Sequence, residues 1–428
     1  MIWLGMGMIS RFERRQLMLA TLIPLFDDKM AVDSYSIFAQ RDNLLLDPIK
    51  GGTALYDGAM HIPGFEIIDS IGLGTLAEDR NVFVPVSNVA IFSDIAGQCA
   101  APPEKIVLLI DRHVTPDLKY TNRIHDLRTQ GFKIAVWKLP LAEFGDYRPI
   151  LNKTDYVLLN HDKVNIQRAK AVFRQVYPHI NIIATNVGTQ EDYEKLKALG
   201  GFDLYEGGFF RMPVDKADID SSPLRATYIE LLRVVNDPDF DLEDAADVIS
   251  RDPALVISML EMVNRMTVNS GISSVRHAAA MLGQKELKRW INTAVTKELC
   301  ADKPSEITRM SLIRARFCEN LAKSFQLAQL SSELFLTGLF SVLDVILDKP
   351  MEEAISTVQI AKPIADALIS GKGALAVVLD FVKQYENASW QAISRTLLLK
   401  GLSMDEIYDA YLESLRWYRD LIAPPSGK

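Results

Sequence analysis

The sequence predicts two unlike halves, an α/β half and then an all-helical half. Three observations carry this. Up to about residue 210, short β-branched apolar runs alternate with longer helical patterns at a spacing of roughly 25 residues, the rhythm of strand-helix units. Residues 211–223 (RMPVDKADIDSSP) are polar and contain two prolines, as a linker between two self-sufficient cores would. Beyond them no strand pattern returns before the end of the chain.

In order along the first half, the runs 81–87 (NVFVPVS), 105–111 (KIVLLID), 132–137 (FKIAVW), 155–160 (DYVLLN) and 180–184 (INIIA) read as buried strands of a mostly parallel sheet. Helices are expected between them over 118–130, 163–177 and 190–199, with Gly131 and Gly200–Gly201 placed where C-terminal caps belong. This rhythm fits a closed βα barrel or an open doubly wound sheet, and periodicity does not choose. In the second half Asp241 is placed to cap a helix over 242–250. Asp252 and Pro253 start another, with Leu255, Met259, Val263 and Met266 on one face. Ser274 starts a third, with Val275, Ala278 and Leu282 inward and Gly283 as its terminator; Leu287, Trp290, Ile291 and Ala294 continue an apolar stripe.

Composition narrows the function classes. The 428 residues suffice for two ordinary domains, and 48% hydrophobic with 24% charged residues matches globular chains. A net charge of −8 speaks against a nucleic-acid footprint across the chain. No apolar run approaches the ~20 residues of a spanning helix. Cys99, Cys300 and Cys318 are widely spaced and read as reduced, packed thiols of a cytoplasmic protein. Residues 1–17 place an apolar stretch before Arg11, Arg14 and Arg15, the reverse of a secretory signal, and read as an extension ahead of a fold that starts near Met18.

The common chemical motifs are missing: no P-loop, GxGxxG, GxSxG or HExxH occurs. The dipeptides His125-Asp126 and His161-Asp162 lack further metal ligands at workable spacing.

Two stretches carry a resemblance. Residues 231–265 (LLRVVNDPDFDLEDAADVISRDPALVISMLEMVNR) and 273–290 (SSVRHAAAMLGQKELKRW) resemble an HDOD domain, the silent relative of HD and HD-GYP phosphohydrolases. In those metal-binding relatives a His-Asp doublet follows a segment like LFLTGLF (334–340). Here the matching positions are Ser341 and Val342. Segment 21–40 (TLIPLFDDKMAVDSYSIFAQ) is similar to the opening of EAL domains, barrel enzymes that hydrolyse cyclic di-GMP, and further matches run through 82–87, 106–117, 131–139, 155–160 and 182–210. The resemblance as a whole is to EAL-HDOD fusion signalling proteins. It implies a degenerate EAL-type (TIM-like) βα barrel over 18–212, a linker over 213–223 and an HDOD-like helical bundle over 224–428.

An active EAL site clamps two divalent ions with carboxylates at strand ends. By this resemblance the signature glutamate position is Ser36 and the substrate-binding arginine position Gln40. The other metal and catalytic positions are Pro85, Leu109, Trp137, Lys138, Leu158, Asn160 and Thr185. Asp111 and Glu206 are the nearest acids and read as strand-end or loop residues. The resulting expectation is a signal-transduction adaptor without enzymatic activity, cofactor, metal or catalytic residues, working by protein-protein recognition. Its partners would be signalling enzymes or regulators, with a second copy of the chain as a further candidate and neither membrane nor nucleic acid among them. The alternative is a non-hydrolysing cyclic di-GMP receptor, with Lys138, Arg112 and Lys133 as phosphate-attracting cations. Lys285, Lys288, Arg289 and Trp290 form the candidate interaction patch, since Trp and Arg anchor interfaces. The competing reading packs Trp290 inward and leaves the basic residues solvated.

Overall fold

The computed structural model describes residues 18–41, 61–211, 223–266 and 274–422. The extension 1–17 and positions 213–222 of the expected linker lie outside the described residues, and Pro223 already begins a helix.

Eight strands close into a barrel in chain order: β1 (Met18–Phe26), β2 (Val32–Arg41), β3 (Asn81–Pro85), β4 (Ile106–Ile110), β5 (Lys133–Trp137), β6 (Tyr156–Asn160), β7 (Asn181–Thr185) and β8 (Leu204–Glu206). Closure settles the choice that periodicity left open. β1 runs antiparallel to both β2 and β8, and the other neighbours are parallel. The β1–β2 turn is fixed by Asp27, whose carboxylate accepts from the amides of Lys29 (2.8 Å) and Ala31 (2.9 Å). The five strands read from the sequence appear as β3–β7.

Around the barrel lie α1 (Pro63–Ile71), α2 (Leu73–Ala77), α3 (Leu118–Thr129), α4 (Arg148–Leu151), α5 (Ile166–Val176) and α6 (Gln190–Leu199). Asp117, Asn165 and Thr189 cap α3, α5 and α6 by accepting backbone N–H bonds. The strands alternate between two environments. In β4, Val107 and Leu109 join Leu25, Phe83, Ala135, Ile183 and Leu204 inside the barrel, while Ile106, Leu108 and Ile110 belong to the outer core.

The second half is helical: α7 (Pro223–Asn236), α8 (Leu242–Ile249), α9 (Pro253–Met266), α10 (Val275–Leu299), α11 (Ser305–Asn320), α12 (Ser331–Leu339), α13 (Leu343–Leu347), α14 (Met351–Val358), α15 (Lys362–Ser370), α16 (Ala374–Glu386), α17 (Trp390–Lys400) and α18 (Met404–Ile422). Asp241, Asp252 and Ser274 cap α8, α9 and α10 as expected. Leu255, Met259 and Val263 are buried; the side chain of Met266 lies outside the described ones. Gly283 does not end its helix. It breaks α10 with φ +71°, ψ +167°, and the element continues to Leu299. Residues Ala328–Leu347 are longer and more apolar than the sequence analysis allowed for any run. They are long and apolar enough by composition to span a bilayer, and 72% of that stretch is buried within the helical half, where it serves as core.

The halves do not stand as two separate cores. No crossover helix links an antiparallel hairpin, so the outer face of β1–β2 needs cover; α16 and α18 pack on β1, and α11 reaches β2 through its side chains. Tyr35 donates through its hydroxyl to Glu306 Oε2 (2.8 Å), and the amide of Ala20 donates to the Tyr385 hydroxyl (3.3 Å). Arg309 lies over the rings of Tyr35 (4.8 Å) and Tyr418 (5.8 Å) and donates to the Leu76 carbonyl (3.3 Å). One apolar core runs through both halves. Cys99, Cys300 and Cys318 are free thiols.

Candidate functional site

The carboxyl ends of the parallel strands form the barrel mouth, where βα barrels place their chemistry. A cavity of about 350 Å³ opens there, lined among others by His61, Pro85, Ser87, Leu109, Asp111 and Trp137. Strand alternation puts Leu109 and Trp137 on the inner face. The Trp137 ring packs against Phe38, with centroids 5.9 Å apart. Lys138 follows in a left-handed conformation, φ +55°, and its ammonium lies 3.6 Å from the centre of the Trp137 ring. Partial burial pulls the Lys138 pKa below its ordinary value, with Asp111 opposing the shift and Lys163 adding to it.

The remaining expected positions fall into three groups. Ser36 is buried in β2, in register with Phe83, and its hydroxyl has no hydrogen-bond partner among the described residues. Gln40 is turned toward the helical half, where Nε2 donates to Ser394 Oγ (3.3 Å). Asp111 is engaged by its own loop, accepting from the His113 amide (2.9 Å). Lys133 stands at the opposite end of β5 and donates to Asn81 (3.4 Å), so it does not face the mouth. Glu206 accepts from the Asn186 amide (3.4 Å), and burial raises its pKa against the opposing pull of that bond and of Arg211. His161 bridges to the Asn186 carbonyl (2.9 Å) and Asp162 binds Asn186 in turn, a loop clasp rather than a ligand set.

The divalent pair implied by the EAL resemblance does not fit these residues. A hydroxyl at Ser36, rings at Pro85 and Trp137 and alkyl groups at Leu109 and Leu158 cannot replace the water of a hard cation. Among the described residues no group of three or more His, Cys, Asp and Glu side chains is placed to hold a metal ion. In the helical half, Ser341 is the residue that the resemblance matches to the doublet histidine. Its hydroxyl donates to the Gly338 carbonyl (2.7 Å) and accepts from Arg314 Nη1 (2.9 Å). Arg314 is held in turn by Glu386, at 2.7 Å from both Nε and Nη2. A guanidinium thus stands beside the doublet position.

A second cavity, of about 280 Å³, lies in the helical half between α7, α10, α11, α12 and α15. Three of the four expected patch residues, Lys285, Lys288 and Arg289, come together around it. Trp290 does not line it; it is half-buried against the core beside Leu287 and Ile291. Arg289 pairs two-pronged with Glu319 (3.0 and 2.8 Å) and lies 4.5 Å from the centre of the Phe335 ring. Sequence reasoning missed Phe335, Leu336 and Ile364, which supply the apolar floor from helices distant in the chain.

Comparison with known proteins places these features. The HDOD domain matches residues 222–362. The chain is 28% identical over 330 residues to the cyclic di-GMP phosphodiesterase CdgJ of Vibrio cholerae, covering 75% of this chain and 74% of that protein. It is 27% identical over 414 residues to the uncharacterized protein YuxH of Bacillus subtilis, covering 93% and 97%. Among solved structures, the manganese and cyclic di-GMP complex of Klebsiella pneumoniae BlrP1 is similar with a TM-score of 0.37 and 13% identity, over 45% of this chain and 55% of that one. A closed eight-stranded barrel followed by an HDOD domain is the order of an EAL-HDOD fusion, and the chain is related to cyclic di-GMP signalling proteins. The expectation that it is not an enzyme is corrected by the Vibrio relative, whose name points to an enzyme.

Proposed function

We propose that this EAL-HDOD chain acts in cyclic di-GMP signalling, recognising the dinucleotide at its barrel mouth and presenting the outcome to a protein partner through its helical half. The observation that carries the reading is the pairing of Trp137 with Lys138 at the rim of the 350 Å³ cavity, in a chain related to CdgJ. An indole on a rigid strand end offers a guanine a stacking surface worth about 1–3 kcal/mol per base. An ammonium resting on a ring has no carboxylate to leave, so it can turn to a phosphate without breaking an ion pair. The shared core then supplies a path from barrel to helices, through Tyr35, Glu306 and Arg309.

Calorimetric titration of the full chain with cyclic di-GMP tests the reading, with and without manganese, and with chromatography of the same samples for linear product. Saturable heat in the wild type that weakens at least about tenfold in Trp137→Ala is expected. The absence of heat with and without metal would overturn it. Linear product that falls in the same variant would place hydrolysis, the activity for which CdgJ is named, at this mouth.

A further inference from the structure

We propose that the cavity of the helical half is a binding site for a small apolar anion, an arylalkyl carboxylate or an aryl phosphate. Three observations converge. The cavity, at about 280 Å³, falls at the lower edge of the roughly 300–1,000 Å³ typical of small-ligand pockets, which suits one ring and a short chain. Its floor is apolar, built by Phe335, Leu336 and Ile364, and Phe335 and Ile364 are each 2% exposed. Its rim holds two cations, Lys285 and Lys288, that pair with no carboxylate among the described residues, and Lys288 is half-buried.

The other charges at the rim sharpen the choice of sign. Glu319 is neutralised by Arg289 and also by Arg316 (2.9 Å), so it neither repels an anion nor serves a cation. Glu333 stays on the rim without a salt bridge among the described residues, and its charge favours the protonated form of Lys288. Burying an ammonium without a partner costs free energy that an incoming anion recovers, whereas a neutral ligand would leave that cost standing. The ring of the ligand would lie on Phe335 and Leu336, and its anionic head would reach Lys288 first and Lys285 from the solvent side. The inference does not rest on nucleotide recognition by the barrel.

Calorimetry on the full chain would use four probes sharing a phenyl group: 3-phenylpropionate, phenyl phosphate, 3-phenylpropanol and 3-phenylpropylamine. The two anions should bind saturably, the alcohol at least about tenfold more weakly, and the amine not at all. Lys288→Met keeps the apolar stem and should weaken the anions at least about tenfold. Ala361→Phe, at an exposed edge of the cavity, should block all binding while the thermal transition stays unchanged. Equal binding of alcohol and acids, or undiminished acid binding in Lys288→Met, would overturn the proposal. So would binding of an acidic peptide with no response to any small acid, which would make the groove a protein-docking surface.

Discussion

The barrel mouth and the core of the helical half treat positive charge in opposite ways. In the helical core three deeply buried cations each have a carboxylate: Arg314 with Glu386, Arg309 with Glu306, Lys303 with Asp348. At the mouth Lys138 rests on an aromatic face, and in the helical cavity Lys288 is half-buried on a rim it shares with Glu333, without a salt bridge among the described residues. Desolvation explains the difference. A charge sealed in the interior must be paired to be tolerated, whereas a charge at a cavity can keep water until a ligand displaces it. These two cations are the ones on which the proposed sites rest.

Removing one member of a sealed pair is the strongest way to break the contrast. Arg314→Ala leaves Glu386 and Ser341 without their donor, and a loss of about 3–5 kcal/mol is expected in urea unfolding. Tyr35→Phe deletes only the hydroxyl at the barrel-helix contact. It should cost about 1–3 kcal/mol, because Glu306 keeps Arg309 (3.2 Å) but loses a buried donor.

The pH dependence of Glu206 sharpens the comparison on the anionic side. Its carboxyl is raised above the ordinary 4.5 by burial, so the folded state holds the proton more tightly than the unfolded chain. Its contribution is complete below the unfolded value and is lost as pH rises through the raised folded value. Thermal unfolding temperatures of wild type and Glu206→Gln should therefore diverge as pH climbs through that window, with the wild type losing ground. Parallel curves would show that this carboxyl carries no linkage. The smallest effect on stability is expected at Lys138→Gly. Relief of a left-handed side chain, about 1–2 kcal/mol, largely offsets the lost ring contact and the added chain entropy of glycine. Stability should stay within about 1 kcal/mol of wild type while cyclic di-GMP affinity falls about tenfold.

Legibility followed the physical origin of each signal. Strands β3–β7 were readable because each is a short apolar run, and Asp241, Asp252 and Ser274 announce helix starts by local hydrogen bonding. Neither β1, β2 nor β8 announced itself by that pattern. The first two form a hairpin without a crossover helix, and β8 is only 3 residues long. The patch at 285–290 was half legible. Its basic residues are adjacent in sequence, but helical spacing sends Trp290 to the core side with Leu287 and Ile291 and leaves Lys285, Lys288 and Arg289 at the cavity.

By itself the sequence determined what depends on neighbours along the chain: the alternation of strand and helix, the caps at Asp241, Asp252 and Ser274, and the helical second half. Tertiary structure decided whatever depends on residues far apart in number. It closed the sheet into a barrel, joined the two halves through Tyr35 and Glu306, 271 positions apart, and laid Phe335 and Ile364 under Lys288. Propensity and capping act over one or two turns, whereas closure, burial of charge and the shape of a cavity are set only when distant surfaces exclude water from each other.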